Sequence, residues 1–390
     1  MSQGSARYRS GLLTGLLIGA LGGAIVAGLA IGLSGILGED QSLSDEASEV
    51  IEENYFREPS PRKLGDDSVN GMVNELRKRY DDRFSHYFNA GALRQFEAQT
   101  SGKFTGVGLG VVETKDGLRV GQVYRDTPAE AAGIKTGDII TAADGDDLKG
   151  LNAEAAAAKI KGPPGTEVTL TVRPEGGGKA EELDVERAEV RIPAVRGEIK
   201  RVDGREIAYV QLATFSEGAH AELREEVEKL YRRGAEGLVL DLRGNGGGLL
   251  NEAVLTSSIF VEDGVIVATE GRQKPREEYE AVGDAVKPRP AAVLVDENTA
   301  SAAEILTAAL ADYGLAEVVG GRTYGKGTFQ EVIELENGGA LDLTVGEYLT
   351  SKDISLAGKG IKPDFAAEDR PETKPDEALD AALGEVEKQL

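Results

Sequence analysis

The chain has no cysteine, no tryptophan, two methionines and two histidines, His86 and His220. Without cysteine there is neither a disulfide framework nor a thiolate metal site, and redox chemistry says nothing about compartment. So few histidines exclude a histidine-rich metal centre. Nothing else in the sequence asks for a metal or an organic cofactor. Positive charge is also short: 44 Lys and Arg stand against 68 Asp and Glu, a net charge of −24. Phosphate is repelled by such a surface, which argues against general nucleic-acid binding. At 390 residues, 40% hydrophobic and 29% charged, the chain is globular and long enough for two or three domains.

Long apolar runs are missing, with one exception. Residues 11–38 carry no charge and consist mostly of Leu, Ile, Ala, Val and Gly. That length crosses a bilayer as a helix. Arg7 and Arg9 precede it, and Glu39, Asp40, Asp45 and Glu46 follow. The positive-inside rule then leaves residues 1–10 in the cytoplasm and the rest of a single-pass protein outside it. A cleaved signal peptide is the rival. The run is long for one and lacks a clear small-x-small cleavage site, so an uncleaved anchor in the cell membrane is expected. The Gly15, Gly19, Gly23 spacing permits close helix packing, but a span rich in Gly and Ala produces such spacings by chance.

Residues 42–100 read as helical and charged. Val69, Met72, Val73 and Leu76 mark one apolar face, and Pro59 and Pro61 break the segment before it. This region suits an interaction or homodimerisation arm, and a plain connecting layer equally well. From Lys103 the texture turns to glycine-rich strands: "FTGVGLGV", "LRVGQV", "DTPAEAAGIKTGDIITAADG", a short Ala-rich helix, and "GTEVTLTVRP". Over residues 103–175 this order resembles a PDZ domain. The resemblance implies that the loop Gly106, Val107, Gly108, Leu109 presents backbone N–H groups to the C-terminal carboxylate of a peptide, which adds as an edge strand. Glycine lets the backbone come close and aim several donors at one anion.

Residues 190–366 alternate strands with helices, the pattern of an α/β core. The acidic tail, 367–390, reads as solvated or as a small terminal helix. Within the core, "DENTASAAEIL" places Ser301 between a buried strand and a helix. Taken alone, a serine there is an N-cap. Two other stretches shift the balance. "DLRGNGGG", 241–248, delivers glycines from a buried strand, and bare amides suit an oxyanion. Alone it reads equally as a flexible turn; a phosphate loop would need the Lys and Ser/Thr that are absent. "GGRTYGKGTFQ", 320–330, sets Lys326 between glycines. A lysine buried in a cleft loses pKa and can take a serine proton. If 325–330 is extended, Lys326, Thr328 and Gln330 share a face, and Gln330 is expected to hold the amine toward Ser301. Together these are the parts of a Ser–Lys acyl hydrolase.

Helical arm, PDZ domain, "DLRGNGGG", "NTASAAE", "YGKGTFQ" and "GKGIKPD" stand in the order of the carboxyl-terminal processing, or tail-specific, serine peptidases, which this chain resembles over 42–366. The resemblance implies nucleophile Ser301, general base Lys326 and assisting Gln330. It further implies a crotonase/ClpP-like α/β core, and an oxyanion hole placed on the backbone of Ala302 and of Gly246 or Gly247. Gly246 stands where proline is common in the family, and Lys161, after the PDZ helix, where arginine is. The partners expected are proteins with exposed, unfolded C-terminal tails. Two rivals remain: a membrane-anchored PDZ scaffold on a catalytically silent fold, and acyl-thioester chemistry, which would need a coenzyme A site. A Ser–His pairing through His220 is disfavoured, because no acid is evidently placed to orient it.

Overall fold

The computed structural model describes residues 43–100, 103–368 and 376–390. The expected anchor, 11–38, lies outside them. Among the described residues no helix is long and apolar enough to cross a membrane. The chain divides into two compact units, 1–87 and 88–390.

The first unit contains helices α1 (Leu43–Asn54) and α2 (Pro61–Tyr80). Pro61 opens α2, where its missing N–H costs nothing, and Asp81 ends it in the left-handed region. Of the stripe expected on α2 only Val73 is fully buried; Met72 and Leu76 stay exposed.

The second unit opens with α3 (Ala90–Thr100) and β1 (Lys103–Gly106). The PDZ domain follows: β2 (Leu109–Thr114), β3 (Gly117–Val123), the short α4 (Pro128–Ala131), β4 (Ile139–Ala143), α5 (Ala153–Ile160), β5 (Glu167–Arg173) and β6 (Glu181–Glu186). Its strands run antiparallel in the order β2-β3-β4-β5-β6, leaving β2 as an edge. The alternation in "EVTLTVR" buries Val168, Leu170 and Val172 against Leu118, Val120, Ile140 and Ile160. The strand returning from the domain, β7 (Ala188–Arg191), pairs with β1, so entry and exit are stitched together.

The core begins with β8 (Val195–Val202), β9 (Arg205–Leu212), α6 (Ala219–Arg232), β10 (Gly237–Asp241), α7 (Leu250–Ser257), β11 (Val265–Glu270) and β12 (Glu277–Glu280). It continues with β13 (Ala291–Val295), α8 (Ala302–Asp312), β14 (Glu317–Gly320), β15 (Thr328–Glu334), β16 (Ala340–Thr350), β17 (Phe365–Ala366) and α9 (Glu377–Lys388). The main sheet runs β8-β9-β10-β13-β14-β17, parallel except at β8. Its central strands, "GLVLD" and "AAVLV", are apolar on both faces, as covered parallel strands must be. Leu238, Leu240, Val293 and Val295 face α6, α7 and α8; Val239, Ala292 and Leu294 face α9. The tail is therefore a helix but not a solvated one. Ala378, Leu379, Ala382, Leu383 and Val386 close the second face of the sheet. Burying each of the larger side chains is worth about 2 kcal/mol. A second, antiparallel sheet pairs β15 with β16, β16 with β11 and β11 with β12.

Candidate active site

Neighbouring parallel strands β10 and β13 end on the same side of the sheet, the usual place for an α/β site. β10 runs into the glycine loop and β13 into the serine turn, and the two loops are laced together. Thr299 Oγ1 donates to Leu242 O at 2.9 Å, Gly244 N to Asp296 Oδ1 at 3.0 Å and Ala300 N to Asn245 O at 3.0 Å. The strand-turn-helix path forces Ser301 to φ 58, ψ −121, a conformation non-glycine residues avoid. Ser301 does sit at the N-cap of α8, with the Glu304 carboxylate reaching back to its amide as in a capping box. The serine is 7% exposed.

A Cβ built on Gly247 would lie 2.8 Å from Ser301 Cβ and 3.0 Å from Ala302 N. Glycine is required there, and the loop backbone touches the serine. Neither the Gly246 nor the Ala302 amide has an acceptor among the described residues. The Gly247 amide differs from the expectation: it donates to Asn245 Oδ1 at 2.9 Å, so it reaches an oxyanion only if Asn245 lets go.

Lys326 arrives from the loop between β14 and β15. What joins it to the serine is Glu304, fully buried on the first turn of α8. Oε2 of Glu304 accepts the N–H groups of Ser301 and Lys326, both at 2.9 Å. Oε1 accepts Gly325 N at 2.8 Å and the Thr323 hydroxyl. One carboxylate thus holds the Ser301 turn and the Lys326 loop in register. Burial pulls the Lys326 amine below the ordinary lysine value, and the charge of Asp342 on β16 pulls it back up. Tyr348, six residues further along β16, has its phenol pushed up to about 12 by burial, with the Ser301 hydroxyl as a hydrogen-bond partner acting the other way. Its amide bonds Gly327 O at 2.8 Å.

Gln330 does not adopt the expected role. Its amide donates to Thr344 Oγ1 at 3.1 Å and Thr328 Oγ1 at 3.5 Å. The reason is local: strand begins only at Thr328, Gly325 is left-handed at φ 84, and the register slips between Phe329 and Gln330. The simple two-residue period therefore fails across 325–330. His220 also differs. An acid is present, since Glu252 Oε2 lies 2.8 Å from its Nδ1. That carboxylate also accepts Gly218 N at 2.8 Å and His220 N at 2.9 Å, capping α6. The polar partners of Ser301 among the described residues are Glu304 and Tyr348, not His220.

In the PDZ domain Gly108 has φ 91, and a Cβ there would meet Thr127 at 2.3 Å. Val107 O accepts Ala129 N at 2.8 Å and Gly108 O accepts Tyr124 N at 3.1 Å, which turns the loop's amides outward. Beside edge strand β2, Leu109 and Val111 pack against the cluster that buries Ala156 and Ile160 of helix α5. Lys161 is exposed; the guanidinium at the end of α5 is that of Arg187, whose Nε donates to Ile160 O at 2.7 Å. Arg196 on β8 donates to Gln122 on β3 at 2.7 Å, joining core to PDZ domain.

Family models agree with this division. "Peptidase family S41" matches residues 206–367 and "PDZ domain" matches 95–173. The carboxy-terminal processing protease CtpA of Bacillus subtilis (strain 168) is 35% identical over 347 residues, 86% of this chain and 72% of that protein. The chain belongs to peptidase family S41. Within S41, a carboxy-terminal-processing protease of Bartonella bacilliformis is 34% identical over 87% of this chain and 77% of its own length. The solved photosystem II D1 C-terminal processing protease aligns with TM-score 0.52 at 28% identity, covering 87% of this chain and 95% of that one. This S41 member is a serine-type peptidase with a PDZ domain beside a mixed α/β core. Domain and family together point to the C-termini of protein substrates as its ligands.

Proposed function

We propose that this S41 peptidase is an endopeptidase tethered to the cell membrane by residues 11–38, with its catalytic unit outside the cytoplasm and a Ser–Lys mechanism. The observation that carries the mechanism is the Glu304 carboxylate bonded to the amides of Ser301 and Lys326, with the lysine amine desolvated beside them. A protein tail docks its carboxylate on Gly106–Leu109 and adds along β2. Ser301 Oγ then adds to an upstream carbonyl carbon while neutral Lys326 takes its proton. Negative charge on the carbonyl oxygen is met by the amides of Gly246 and Ala302, joined by Gly247 when Asn245 releases it. The C–N bond breaks as the lysine ammonium protonates the leaving amine. Water, deprotonated by the same lysine, then cleaves the ester. Asp342 draws the amine toward its charged form between turnovers. In the present arrangement Gln330 holds Thr344, which fits a resting state that substrate must rearrange. The α1–α2 arm serves self-association in this reading.

The test is cleavage of an unfolded protein with an apolar C-terminus by the full chain in detergent, beside Ser301→Ala and Lys326→Ala. Both variants should be inactive, with tail binding intact. Equal activity in all three refutes the mechanism; binding without any cleavage favours a PDZ scaffold on a silent fold.

A further inference from the structure

The Ser–Lys reading leaves one charge cluster unused, buried at Asp241 and half-exposed at Asp376. Arg243 follows β10 after Leu242 and starts the glycine loop. Its Nε donates to Asp241 Oδ1 at 3.1 Å and its Nη2 to Asp241 Oδ2 at 2.8 Å. Asp241 is 1% exposed and also accepts the Tyr209 hydroxyl at 2.7 Å, so this end of the guanidinium is anchored in the sheet. The outer end reaches a residue 133 positions away: Nη1 donates to Asp376 Oδ1 at 2.9 Å and Nη2 to Asp376 Oδ2 at 2.8 Å. Asp376 is itself fixed. It caps α9, accepting Leu379 N at 2.8 Å, and α9 is bolted to the back of the sheet by its buried face.

We propose that Asp376 is a positioning residue for the oxyanion loop, acting through Arg243 to hold the backbone of 244–247 against Ser301. This rests on the Ser–Lys reading. Asp241 alone already satisfies the charge of Arg243. A second, bidentate carboxylate on the opposite side adds direction, because a fork gripped at both ends cannot pivot. The loop needs such a grip. Gly244, Gly247 and Gly248 occupy φ of 69, 101 and 151, and glycine leaves the run free to leave that shape. The last helix of the chain thereby becomes a strut for the active site on the other side of the sheet.

Asp376→Asn tests this in the full-length protein. Asparagine keeps the helix cap and loses the charged, two-pronged grip. Expected is a kcat fall on the order of 10- to 100-fold, the cost of misplacing catalytic groups by about an ångström, with KM and tail-peptide Kd unchanged. Amides 244–248 should exchange hydrogen faster, with α9 amides unaffected. Leu383→Ala, which loosens α9 by packing, is the control for stability. Wild-type kcat and wild-type loop exchange in Asp376→Asn overturn the proposal. So does a kcat loss that Leu383→Ala reproduces at an equal drop in melting temperature. If the wild type itself is no faster than Ser301→Ala, the peptidase reading has failed, and loop exchange then decides the clamp alone: unchanged exchange overturns it, faster exchange supports it.

Discussion

Lys326 and Asp342 set the chemistry of this site against each other. Burial favours the neutral amine that the proposed base role needs; the carboxylate favours ammonium. The rate should rise with pH through an ionisation below the ordinary lysine value of about 10.4. Asp342→Asn removes the opposing charge, so the apparent pKa should move down and activity at neutral pH should increase. A pH–rate profile that stays in place would show that Asp342 does not govern the base. Below the folded-state pKa, desolvating the ammonium costs stability. That cost is relieved as pH rises from the depressed value toward the ordinary one, where the unfolded chain still binds the proton. Glu304 bears on both halves of the site. Glu304→Gln places an amide against donors it cannot satisfy, and should cost about 2–5 kcal/mol in urea unfolding and most of the activity. Lys326 stood out because it lies between two glycines, and Ser301 because it lies where a buried strand meets a helix. Glu304 did not: three places after a helix-capping serine, a glutamate is what a capping box would put there. Only the fold reveals that the same carboxylate also takes the Lys326 loop.

At the level of elements, loops from adjacent parallel strands carry the candidate chemistry, while β2 and α5 carry the candidate recognition edge. The two are separable. Gly108→Ala forces a side chain into Thr127 at a left-handed backbone position. It should weaken binding of a fluorescent tail peptide by at least ~10-fold, while cleavage of a short blocked peptide that bypasses the PDZ domain stays unchanged. Loss of both would mean that the loop also supports the core. The strands and helices of the core followed from periodicity, since continuous apolar runs predict covered parallel strands. The slip at Gln330 did not follow, because a register shift is a property of a strand pair, not of either strand. The last helix was legible in its stripe, Ala378, Leu379, Ala382, Leu383, Val386, but hidden by the acidic composition around it. Composition reports the solvent face and says nothing about the other.

At the scale of the whole molecule, the core is closed by a helix that follows every candidate catalytic motif in the sequence. The parallel sheet has both faces covered only once that helix has docked. The resulting framework is rigid enough to hold Ser301 in a backbone shape that a serine resists at a cost of about 1–3 kcal/mol.

That tension has an evolutionary reading. Glycine occupies φ 58 without penalty, so Ser301→Gly should raise the midpoint of thermal unfolding while abolishing cleavage, whereas Ser301→Ala keeps the penalty and gains little. If both variants melt alike, the backbone at 301 stores nothing. If they differ as expected, selection for proteolysis has been paid for in stability at this one codon, and a descendant released from that duty would drift toward glycine, leaving a sturdier and silent protein.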